Sequence, residues 1–81
     1  MKVHVEFFSR LREVVDAADL TIDLPDRATV AALLTALYQR YPPLAKWDDN
    51  ILIGAHLEFV GRDYALRPGD EIAIMPPVQG G

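Results

Sequence analysis

Cysteine is absent from all 81 residues. Its absence excludes disulfides, thiolate metal sites and a persulfide carried on a side chain. A chain this short can build one hydrophobic core, and without staples that core must hold the fold by packing alone. Hydrophobic residues make up 51% of the chain and charged residues 25%, the balance of a folded domain. An excess of positive charge is also missing: 8 Lys and Arg stand against 12 Asp and Glu, for a net charge of −4. That argues against nucleic acid, whose phosphates call for a basic surface, and favours a basic partner. No apolar run has the length of a membrane span. Met1-Lys2-Val3-His4-Val5-Glu6 also lacks the apolar stretch of a signal peptide, so the cytosol is the expected compartment.

Side-chain chemistry is sparse as well. The sequence has neither a Gly-x-x-x-x-Gly-Lys phosphate loop nor a Gly-x-Gly-x-x-Gly fingerprint, so no nucleotide cofactor is expected on this chain. His4 and His56 are far apart and lack ligand-like companions, so no metal site is expected. Asp48-Asp49 reads as a solvated turn. Ser9 has no base at motif spacing and reads as a helix cap.

What is present is periodicity. Val3, Val5 and Phe7 alternate with Lys2, His4 and Glu6, which predicts a half-buried strand; Phe8 then falls on the polar face. Ser9 to Val15 predicts a short helical turn, and Leu20, Ile22 and Leu24 a second strand closed by Pro25. Val30, Leu33, Leu34, Leu37, Tyr38 and Tyr41 form one helical face, with Thr29 as N-cap and Pro42-Pro43 as the stop. Leu44 to Asn50 reads as loop. Ile51 to Leu57 is strand-like without clean alternation, which predicts burial on both faces or a bulge near Gly54. Turns follow at Gly61-Arg62-Asp63 and Arg67-Pro68-Gly69-Asp70, then a last strand from Glu71 to Met75. The pattern predicts an α+β domain over residues 1–75, with one main helix on one face of a small mixed sheet.

Residues 76–81 form a separate extended tail. Pro76 and Pro77 end the ladder and favour a polyproline II path; Val78, Gln79, Gly80 and Gly81 complete it. Six extended residues reach about 15–20 Å. The two terminal glycines could enter a channel too narrow for a Cβ. Because no side-chain constellation suggests catalysis, the carboxylate of Gly81 is the best candidate for a reacting group. An ATP-using partner would activate it as an acyl adenylate, and a sulfur donor would convert it to a thiocarboxylate. Phe8 and Met75 break the apolar parity of their strands, Phe59 follows the irregular strand at Gly54, and the three are candidates for partner binding beside the tail.

Phe7-Phe8 with Leu11-Arg12-Glu13, then Leu66, Gly69-Asp70-Glu71-Ile72-Ala73 and Pro76-Pro77-Val78-Gln79-Gly80-Gly81, resemble the small, sulfur-carrying subunits of molybdopterin synthase, the MoaD family. The resemblance covers nearly the full length. It implies a ubiquitin-like β-grasp with the first and last strands parallel and adjacent at the sheet centre. It further implies that a ubiquitin-activating-like adenylyltransferase uses ATP on Gly81 and that a sulfurtransferase supplies sulfur. The tail would then enter the large subunit of a heterotetramer, where it gives sulfur to cyclic pyranopterin monophosphate in molybdenum cofactor biosynthesis. The catalytic side chains would lie on that large subunit. The family usually has asparagine where this chain has His56. Alternatives are a sulfur carrier for thiamin thiazole synthesis, a lysine-conjugated protein modifier and an interaction module with an inert tail. Lys2 and Lys46 are the only lysines, which argues against self-chains.

Overall fold

The alternation at the start of the chain becomes strand β1 (Lys2–Phe7), in which Val3, Val5 and Phe7 are fully buried. The computed structural model describes residues 1–77; Val78, Gln79, Gly80 and Gly81 lie outside the described residues. After β1 come α1 (Arg10–Val15), β2 (Asp19–Asp23), α2 (Val30–Arg40), a 3-10 helical segment (Pro42–Asn50), β3 (Leu52–Ala55), β4 (Glu58–Phe59) and β5 (Glu71–Met75). Among the described residues, five strands form one sheet in the order β2-β1-β5-β3-β4. β1 and β5 are parallel, with Val5 opposite Ile72 and Phe7 opposite Ile74; the other pairs are antiparallel. This is the mixed sheet, with first and last strands adjacent at its centre, that the resemblance implied.

α2 forms where its apolar spacing predicts. The Thr29 hydroxyl oxygen accepts from the Ala32 amide at 3.4 Å, and the helix ends before Pro42-Pro43. Val30, Leu33, Leu34 and Leu37 are buried in one cluster with Val3, Val5, Phe7, Ile72 and Ile74. Ile22 is only partly buried, because β2 is an edge strand.

Three local expectations are corrected. Ser9 does not cap α1: it has φ 52°, and its side chain makes no capping bond. Backbone turns start that helix instead, with the Leu11 amide donating to the Phe8 carbonyl at 3.1 Å. Leu44 to Asn50 is not loop but part of the 3-10 segment, preset by two prolines and fastened by fully buried Leu44. There is no bulge at Gly54, which pairs in regular register with Ala73 and Phe59. The apolar run loses its alternation because the strand stops at Ala55 and the chain reverses through His56 and Leu57.

The turn before β5 forms as expected. The Asp70 amide donates to the Arg67 carbonyl at 3.0 Å, and Gly69 takes φ 82°, which the second central position of such a turn requires. Asp70 is 6% exposed. One of its carboxylate oxygens accepts from the Arg67 amide at 2.9 Å, and its carbonyl accepts from the His4 amide at 2.9 Å. On the helix side, Asp48 joins three elements: it accepts from the Tyr38 hydroxyl at 2.6 Å and from the Arg62 guanidinium at 2.7 Å. Burial first, then the Asp48 carboxylate, pushes the Tyr38 phenol well above its ordinary range.

Two measurements test this packing. Leu34→Ala and Leu37→Ala each empty a fully enclosed site and should lower unfolding free energy by about 2–5 kcal/mol in urea titrations. Hydrogen bonds from Tyr38 and then Arg62 hold the Asp48 carboxyl below its ordinary value of 3.8. A group with a depressed folded-state pKa contributes stability above its unfolded value, and that stability is lost as pH falls through the folded value. Asp48→Asn should therefore be less stable than wild type at neutral pH, and the gap should close below pH 3.8. Urea titrations across that acid range would read the gap directly.

Candidate functional site

α2 covers one face of the sheet, and strand parity decides what is left on the other. Glu6 of β1, Ala73 of β5, Gly54 of β3 and Phe59 of β4 lie in a single row across the strands. Met75 stands one row further along, opposite Leu52. Gly54 and Ala73 form a low floor between Met75 and Phe59, and the concavity there has a volume of about 640 Å³. A Cβ at Gly54 would lie 3.3 Å from the Met75 methyl carbon, so glycine keeps the floor open.

The wall on the β4 side is apolar and bare. Phe59 is 70% exposed and Leu57 fully exposed. Leu57 sits at the tip of the β3–β4 hairpin with φ 66°, and His56 beside it has φ 52°. A two-residue turn of this kind needs left-handed backbone at both positions, which glycine and asparagine adopt most readily. In this chain His56 Nε2 lies 3.3 Å from Asp70 Oδ1, which links the hairpin to the turn that launches β5.

Of the residues singled out in the sequence, Phe59 and Met75 are brought together on the concavity. Phe8 does not line it. Its amide donates to the Ile74 carbonyl at 3.0 Å just beyond β1, and the Arg12 guanidinium lies 5.8 Å from its ring centroid. Pro76 and Pro77 leave directly from β5 and are half-buried. The expectations for Val78, Gln79, Gly80 and Gly81 fall outside the described residues. Leu57 escaped the sequence reading because His56-Leu57 carries no glycine, asparagine or proline to mark a turn. A search for apolar residues directly after a broken alternation would have found it.

Among the described residues, no group of three or more His, Cys, Asp or Glu is placed to hold a metal ion, and no helix is long and apolar enough to cross a membrane. The open face of the sheet thus presents an apolar concavity beside the strand that leads into Pro76.

Comparison with known proteins agrees with the fold. The model of the ThiS family matches residues 5–81. The chain belongs to the ThiS family. It is 32% identical over 84 residues to the molybdopterin synthase sulfur carrier subunit of Drosophila ananassae, covering 100% of this chain and 92% of that protein. The crystal structure of small archaeal modifier protein 1 from Haloferax volcanii is similar with a TM-score of 0.85 and 29% identity, over 95% of this chain and 98% of that one. A complex of subunits 1 and 2 of molybdopterin-converting factor from Helicobacter pylori matches with a TM-score of 0.71 and 26% identity, over 100% of both chains.

For this ThiS-family chain, the hairpin tip allows a separation of fold from surface. Leucine at positive φ is strained, and at full exposure it gains nothing from the core. Leu57→Gly should raise unfolding free energy by roughly 0.5–1 kcal/mol, because relief of strain exceeds the added chain entropy. Thermal and urea unfolding would check the sign.

Proposed function

We propose that this chain is the sulfur carrier subunit of a molybdopterin synthase and that Gly81 bears the sulfur. The observation that carries the reading is the match to sulfur carrier subunits along the whole chain, with a family match running through residue 81. The fold supports it: β5 lies between β1 and β3, so Pro76 begins the tail from a strand held on both sides.

The chemistry follows from the carboxylate. A carboxylate is a poor electrophile, so an adenylyltransferase partner would place it against the α-phosphate of ATP. The carboxylate oxygen attacks, pyrophosphate leaves, and an acyl adenylate forms. A sulfur nucleophile at the sulfide level, delivered by a sulfurtransferase, then displaces AMP and leaves a thiocarboxylate. Position and access dominate such a step, and glycines at 80 and 81 put no Cβ in the way. The loaded tail enters the large subunit, paired with this chain as a heterotetramer in the cytosol, and gives its sulfur to cyclic pyranopterin monophosphate. Catalytic side chains belong to that subunit. ATP belongs to the activating partner.

The likeness to small archaeal modifier protein 1 favours a second reading, in which activated Gly81 is conjugated to lysines of other proteins. The two differ in product: a thiocarboxylate passed to a pterin, or an isopeptide bond.

The test incubates the protein with activating enzyme, ATP and a sulfur source, and measures intact mass for replacement of one oxygen by sulfur. The large subunit and cyclic pyranopterin monophosphate are then added and molybdopterin is quantified. Deleting Gly81 should abolish both stages while circular dichroism stays unchanged, and adding one residue beyond Gly81 should do the same. Product from the chain lacking Gly81 would refute the tail mechanism. Isopeptides without molybdopterin would favour the modifier.

A further inference from the structure

The open face of the sheet is divided by charge. Asp23, Asp19, Glu6 and Glu71 stand toward β2 and the start of β5, with Lys2 paired to Asp23 at 3.3 Å. Ala73, Gly54, Met75 and Phe59 make up the other half. The concavity lies on the boundary. Its lining includes Glu6, Glu58 and Glu71 but no lysine or arginine; Glu58 pairs with buried Ala55, so strand parity turns its side chain to the other face and leaves its backbone carbonyl toward Gly54. His56, which also lines it, already faces Asp70 at 3.3 Å. Among the described residues, neither Glu6 nor Glu71 takes part in an ion pair. Two carboxylates thus border an apolar hollow with no cation of their own, in a chain of net charge −4.

We propose that the hollow over Gly54 and Ala73 receives one apolar side chain of the large subunit, and that Glu6 and Glu71 hold a lysine or arginine from the same segment. This rests on the sulfur-carrier reading and goes beyond it by stating the chemistry of the docking element and its direction. The charged end of that element lies toward the start of β5, where Glu71 stands. The apolar end lies toward Met75, one residue before the tail begins. The polarity therefore orients the partner so that its channel faces Pro76. An apolar contact alone would fix position and leave direction open; the carboxylates reject the reversed docking, which would set an apolar group against two charges.

The experiment measures dissociation constants for the purified large subunit over a series of salt concentrations. Glu6→Gln/Glu71→Gln should weaken binding about tenfold at low salt and flatten its salt dependence, because the screened attraction has been removed. Gly54→Val should fill the hollow and weaken binding about tenfold with the salt dependence intact, since that loss is apolar. Gly54 lies in a regular strand and its added Cβ meets the far end of the flexible Met75 side chain, so the variant should fold, which thermal unfolding would verify. Glu13→Gln/Asp49→Asn removes the same charge elsewhere and should leave binding near wild type. An unchanged affinity and salt slope in the Glu6/Glu71 variant would overturn the proposal while wild-type binding and sulfur transfer keep the carrier reading intact. Equal weakening in the Glu13/Asp49 variant would overturn it too, by assigning the effect to net charge. A wild-type chain that neither binds the large subunit nor passes sulfur to it would overturn both.

Discussion

A sheet has two faces, and this chain has one main helix to cover them. α2 brings a single apolar stripe, Val30, Leu33, Leu34 and Leu37, and commits it to the side where Val3, Val5, Phe7, Ile72 and Ile74 point. Everything on the second face follows from that shortage. Among the described residues, no helix lies above those of the opposite parity in β1 and β5, so their identities are free of packing demands. Where they are charged, as at Glu6 and Glu71, the face is wetted. Where they are small or apolar, as at Ala73, Met75 and Phe59, it is left available to another protein.

Much of this is legible in the amino-acid sequence, for a physical reason. β1, α2 and β5 have long, regular apolar periods, and burial on one side is what creates such periods. The parallel centre pairing is different in kind. Periodicity says which face of a strand is buried but not which strand lies beside it; the neighbour came from resemblance. The misreadings cluster where backbone decides rather than side chains. Ser9 is a good capping residue in composition, yet its positive φ turns the hydroxyl away from that role. Leu44 to Asn50 lacks a repeating apolar stripe because a 3-10 segment with one buried leucine needs none. The hairpin at His56-Leu57 has no glycine, asparagine or aspartate at its two left-handed positions, so no composition rule marks it.

The candidate site divides along the same line. Met75 could be found from parity because it sits in a regular ladder, whereas the irregular run before Phe59 hid the parity of that strand. Phe8 follows the same rule but stands where the ladder has just ended, and Arg12 covers its ring. Leu57 contributes the most exposed apolar surface of the group, and its position depends on a turn. The contact between His56 and Asp70 couples that turn to the one that launches β5, so the hairpin and the last strand share a fixed geometry.

The placement of β5 also determines how the domain bears load. β5 is bonded to β1 on one side and β3 on the other, and its axis continues into Pro76. A pull on Pro76 acts along that axis. Two ladders are then loaded in shear, with all their hydrogen bonds sharing the force, instead of being unzipped one at a time from an edge. The strand that runs into Pro76 is thus held on both sides, and a pull along its axis does not peel it from an edge.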